Sequence, residues 1–181
     1  MEDTRWRTWE TAGLYAVLIA GNLMHFVYGW SGGNPVIAAL AAVNESTWEH
    51  MKLLITPWII WSLVSLLFQR GSDRPVAAAR ALGLLTGMTA IPVLYYTYRG
   101  ATGQNATLVN VLIFQVAVLL ACCVSYEVQK HCLLSGKIWQ RVGVAVLLIV
   151  WFVTILWTFY PPAIPLFADP RTGLTGIPFA Q

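Results

Sequence analysis

Two histidines and three carboxylates stand out in a chain where ionisable residues are scarce. They are His25, Glu45, Glu49, His50 and Asp169, with Asn44 and Arg99 as polar neighbours. Only 10% of the 181 residues are Asp, Glu, Lys or Arg, and 57% are hydrophobic. In so apolar a chain an ionisable group is costly, which makes it a functional candidate by default. Histidine and carboxylate are the donor types that hold zinc or another transition metal. His25, Glu45, Glu49 and His50 are therefore the candidate metal ligands, and a zinc or transition-metal ion is the cofactor they would suit. The same residues could also relay protons, because a neutral imidazole tolerates apolar surroundings and ionises near neutrality.

Their spacing narrows the roles. Glu45 and Glu49 are four apart and share a helix face, where like charges repel unless a cation, a proton or Arg99 lies between them. His50 is displaced by about 100° from Glu49. Ser46-Thr47-Trp48-Glu49 fits a capping box, with Ser46 capping and Glu49 reaching back. That accounts for Ser46 and Glu49 but gives Glu45 and His50 no task in forming a helix. No His-Glu-x-x-His, Gly-x-Ser-x-Gly or P-loop pattern is present, so no named reaction follows. Cys122, Cys123 and Cys132 make no Cys-x-x-Cys pair and read as small apolar side chains in a packed bundle. The net charge of +3 and the lack of a basic stripe argue against a nucleic-acid partner.

These residues must be positioned by helices in lipid. Mean hydropathy is +0.64, and a small soluble domain could not bury so much apolar surface. Five stretches, at approximately 11–30, 47–69, 76–98, 106–126 and 138–160, are apolar over the roughly 20 residues a membrane crossing needs. The expected fold is an all-α integral membrane bundle, one transmembrane domain of about five helices with the bilayer as partner. A sixth run, Pro35 to Val43, is too short to cross. Asn34 suits an N-cap and Pro35 the first helical position, so 35–43 is expected to be an interfacial or re-entrant helix.

The charges set an orientation. Arg5, Arg7, Arg70, Arg74, Arg80, Lys130, Lys137 and Arg141 are eight of the eleven Lys and Arg, and five crossings place them on one side. The positive-inside rule puts that side, with the N-terminus, in the cytoplasm of a multi-pass plasma-membrane protein, and the C-terminus outside. Trp6, Trp9 and Trp139 would form an inner aromatic belt. Trp30, Trp48, Tyr95, Tyr96, Tyr98, Trp157 and Tyr160 would form an outer one. His25, the 44–50 segment, Arg99 and Asp169 then converge on the outer face. Ala79, Gly83 and Gly87 form a small-residue stripe that admits a close helix partner, in the same chain or in a second copy. The tail from Tyr160 is rich in Pro and Gly yet carries Ile164, Leu166, Phe167, Leu174, Ile177 and Phe179. Such apolar content suggests an ordered cap over the outer mouth, with 169–173 as a tight turn.

Two of these segments resemble a known pattern. Asn44-Glu45-Ser46-Thr47-Trp48-Glu49-His50 with Lys52, and Tyr160-Pro161-Pro162-Ala163-Ile164-Pro165-Leu166-Phe167 with Asp169-Pro170, are similar to the motifs of small prokaryotic membrane proteins grouped as a domain of unknown function. His25 and Tyr28 also sit where that family has them, so the resemblance adds Tyr28 to the ligand-binding candidates. It implies a prokaryotic membrane protein and no particular activity. Three readings follow: a binding or transport site for a cation, proton or small ligand; a membrane-embedded enzyme acting on a lipid or amphiphile; or an accessory subunit whose polar cluster only ties helices together. The orientation is tested by Thr175→Cys, which should react with an impermeant thiol reagent in intact cells above the level of the parent chain. Protection of that cysteine would invert the topology.

Overall fold

The computed structural model describes residues 2–69 and 73–177, so Arg70 of the charge pattern and Phe179 of the tail lie outside the described residues. The chain forms α1 (Glu2–Trp30), α2 (Pro35–Ala38), α3 (Thr47–Phe68), α4 (Val76–Thr102), α5 (Thr107–Lys130) and α6 (Lys137–Phe159). Five of these are long and apolar enough to cross a membrane. We call the end of the bundle that carries the C-terminal tail the upper face. α3 and α4 are the most enclosed spans, while α1, α5 and α6 leave most of their apolar surface open. Ile19, Ile149 and Phe152 are each more than 60% exposed, as expected of lipid-facing positions rather than a water-facing surface.

Close approach of the helices depends on small residues. A Cβ on Gly83 would lie 2.6 Å from the Ala121 carbonyl oxygen, and one on Gly143 would lie 2.5 Å from the Ala77 carbonyl. The Ala79–Gly83–Gly87 stripe is thus buried within the chain: Gly83 and Gly87 pack against α3 and α5, and Ala79 is fully enclosed. It is not a free surface for a second copy. Pro57 lacks an N–H, which leaves the Leu53 carbonyl without its helical partner. Gly21 of α1 sits against that oxygen, where a Cβ would come within 2.5 Å. Two tryptophans expected in the membrane belts are interior instead. Trp6 stacks on Tyr126, and Trp48 packs between Trp157 and Phe167. Cys123 and Cys132 are exposed, and only Cys122 is partly enclosed.

The expected 35–43 helix is only four residues long. Asn34 does cap it, accepting from the Val36 N–H at 2.9 Å. Beyond Ala38 the chain leaves the helix, yet Ala38, Ala41, Ala42 and Val43 are buried. Irregular backbone can lie inside a membrane protein only where its polar groups find internal partners. Here α3 supplies them from one face. Lys52 donates to the Ala38 carbonyl at 2.7 Å, Thr56 donates to the Leu40 carbonyl at 2.8 Å, and Glu49 accepts from the Val43 N–H at 3.0 Å. Lys52 also contacts the Glu49 carboxylate at 2.6 Å and donates to Thr158 of α6 at 3.0 Å. All three ammonium hydrogens are therefore satisfied in a site of zero exposure.

Two stability predictions follow, both read as thermal unfolding in detergent. Gly83→Ala should destabilise by about 1–3 kcal/mol through overpacking. Gly100→Ala, in an open helical position, should be neutral or stabilising by up to about 1 kcal/mol. Lys52→Met should cost about 3–5 kcal/mol by stranding the Glu49 charge, and adding Glu49→Gln should recover part of the loss. A double variant no more stable than Lys52→Met would reject the pair as the source of the effect.

Candidate functional site

Glu45 is the last residue before the Ser46 cap of α3, and several bonds hold its backbone. Its N–H donates to Asp169 Oδ2 at 3.2 Å, while the Asn44 side chain accepts from the Ser46 N–H at 2.9 Å and donates to the Gly176 carbonyl at 2.8 Å. The tail is fastened to this point. Phe167 is buried between Trp48 and Trp157, and the Trp48 N–H donates to the Leu166 carbonyl at 3.0 Å. Asp169 Oδ1 accepts from the Arg171 N–H at 2.7 Å and forms the turn, which Gly173 completes with a positive φ of 73°. Asp169 and Asn44 therefore position the site rather than face its interior.

The Glu45 side chain projects between two imidazoles. His25 Nε2 lies 3.7 Å from Oε1, His50 Nε2 lies 3.6 Å from Oε2, and Arg171 Nη1 lies 3.7 Å from Oε1. The imidazole rings stack with centroids 5.6 Å apart. These separations suit ion pairing but exceed hydrogen-bond length. His50 Nδ1 lies 2.9 Å from the Ser46 carbonyl oxygen. A carbonyl only accepts, so Nδ1 carries the hydrogen and the neutral ring presents a bare lone pair at Nε2. That lone pair faces a carboxylate oxygen, which also only accepts. The pair lacks a donor, and a proton or a ligand N–H or O–H would complete it.

The cluster sits at the mouth of a cavity of about 280 Å³. Tyr95, Asn105, Asn110 and Thr107 add polar groups to the upper wall, and Leu53, Ile91, Ile113 and Phe114 line it with apolar surface. Asn110 Oδ1 is buried there without a hydrogen-bond partner.

Several sequence expectations change. Glu49 does not join the cluster, because its carboxylate is bound to Lys52 and the Val43 N–H. Nor does it complete the capping box: Ser46 accepts from the Glu49 N–H at 3.3 Å, but the Ser46 N–H is taken by Asn44. Arg99 is exposed and donates to Tyr95 at 3.1 Å, and the cation beside Glu45 is Arg171. Tyr28 packs beneath the turn at Gly33 and does not line the cavity. The four candidate ligands do not fit a zinc or transition-metal centre. Glu49 is diverted, and among the described residues no group of three or more His, Cys, Asp or Glu has the arrangement to hold an ion.

At the opposite end is a cluster that the sequence did not reveal. Arg80, 2% exposed, pairs with Glu10 at 2.7 Å and donates to Ser65 and Ser125 at 3.2 and 3.3 Å. The Trp58 indole donates to the Arg80 carbonyl at 2.9 Å. This knot joins α1, α3, α4 and α5. Its sequence signal was slight: Arg80 counted only among the positive charges of one side, and Glu10 carried no motif.

No curated protein and no solved structure matches the chain. The model of a family of unknown function, DUF6512, matches residues 2–177, which is nearly the full length, and the chain belongs to that family.

Proposed function

We propose that this membrane protein binds a small ligand in the outward-facing cavity, and that the ligand supplies the hydrogen missing between His50 and Glu45. The reading rests on the facing lone pairs of His50 Nε2 and Glu45 Oε2, 3.6 Å apart. The side chains are 27% and 28% exposed; His50 is tied to the fold through Nδ1 and Glu45 is paired with Arg171 through Oε1, but the two atoms that face each other have no hydrogen between them. A bare cation suits the site less well, because Arg171 already offsets the Glu45 charge. Catalysis has less support, since no activated nucleophile stands beside the imidazoles.

Native mass spectrometry of protein extracted in mild detergent provides the test. The wild type should retain a discrete bound species. Glu45→Gln places an N–H donor against His50 and should lower the retained fraction at least tenfold. Ile113→Trp, which adds bulk to the apolar wall of the cavity, should do the same, whereas Lys130→Gln at the opposite end should not. Equal retention in all four proteins, or none in the wild type, would reject the proposal.

A further inference from the structure

The cavity has an open side. Phe26 of α1 and Val111 of α5 both line it, yet they are 53% and 42% exposed. Each lies four residues from the upper end of its helix, about 6 Å down at 1.5 Å per residue. With the helix ends set at the membrane surface, that depth corresponds to the lipid head groups and the first chain carbons. Eight residues from the same ends, about 12 Å down, Gln115 of α5 donates to the Asn22 side chain of α1 at 3.3 Å. The two helices are therefore tied one level below Phe26 and Val111.

The chemistry around the opening is specific. Glu45 and Arg171 balance one another's charge. The remaining polar groups near the imidazoles are carboxamides and hydroxyls: Asn22, Thr47, Tyr95, Asn105, Thr107 and Asn110. Asn110 donates to Asn105 at 2.9 Å and leaves its own Oδ1 without a donor. Uncharged groups that both donate and accept are suited to hydroxyls. The volume of about 280 Å³ is at the lower end of small-molecule sites, enough for a head group with the start of a chain. The rest of a chain can remain in the bilayer through the open side.

We infer that the ligand is an amphiphile with an uncharged, hydroxylated head group, which enters laterally between α1 and α5 from the leaflet on the tail side and places a hydroxyl between His50 and Glu45. This deepens the binding proposal and rests on it.

The test uses the full chain in phosphatidylcholine nanodiscs and follows histidine modification by diethyl pyrocarbonate, read by mass spectrometry. His131, at the opposite end with its side chain 57% exposed, serves as the internal reference. Doping with 1-monododecanoylglycerol should slow modification of His25 and His50 at least fivefold and leave His131 unchanged. Methyl dodecanoate, which has the chain without hydroxyls, and free glycerol should each change the rates less than twofold. Val111→Trp should abolish the protection, while Leu120→Trp on the lipid face of the same helix should preserve it. Protection by glycerol alone would overturn lateral entry and leave the cavity proposal standing. Equal protection by methyl dodecanoate would overturn the hydroxyl assignment. No protection by the monoacylglycerol would overturn the inference, while the retained-species measurement still decides the cavity proposal. Persistence of protection in a Val111→Trp protein that melts like wild type would also overturn lateral entry, and the wild-type arms decide the rest even where that variant unfolds early.

Discussion

The Lys52 ammonium organises the upper half of the molecule. A buried amine needs three acceptors, and this one has them from three different parts of the chain: a carboxylate on its own helix, the carbonyl at the end of α2 and a hydroxyl of α6. Without such partners, the irregular stretch between Ala38 and Ser46 could not lie below the surface of a membrane protein. With them, the segment returns through the bundle and delivers Glu45 to the start of α3. The site thus depends on a residue that does not touch it.

The same arrangement separates two carboxylates that the spacing would place together. Glu49 turns inward to Lys52, and Glu45 turns toward the imidazoles. Repulsion across one helical turn is relieved because Glu45 lies just outside the helix and answers to a different cation. Asp169 carries out the third acidic role, fixing the backbone of Glu45 and of Arg171. Three acidic side chains near one face therefore do three unlike jobs, and of the three only Glu45 lines the cavity.

Much of the architecture could be read from residue patterns. The five spans followed from apolar length, the caps at Asn34 and Ser46 from local hydrogen-bonding rules, and the meeting of His25, Glu45 and His50 from their common depth. What escaped was set by long-range packing. The choice of Arg171 over Arg99 as the cation depends on where the tail folds back. The diversion of Glu49 depends on a carbonyl eleven positions upstream, at Ala38, which holds Lys52 beside it. The Glu10–Arg80 pair joins residues that carry no shared motif, and helical periodicity cannot predict a partner on another helix. The stripe at Gly83 and Gly87 showed that something packs closely there, but not that α3 and α5 do so.

The order in which these partners leave the ribosome gives the Lys52 site a further meaning. Its acceptor on α6, Thr158, is made 106 residues after Lys52 itself, and Asp169 later still. The Glu49 partner, three residues away on the same helix, is present from the outset. As α3 enters the bilayer it carries a self-neutralised ion pair rather than a naked charge, which lowers the barrier to partition into lipid. The remaining acceptors arrive with the last helix and the tail. The molecule is therefore insertable early and closed late, and the mouth of the cavity takes shape only after the final span and the tail have been made.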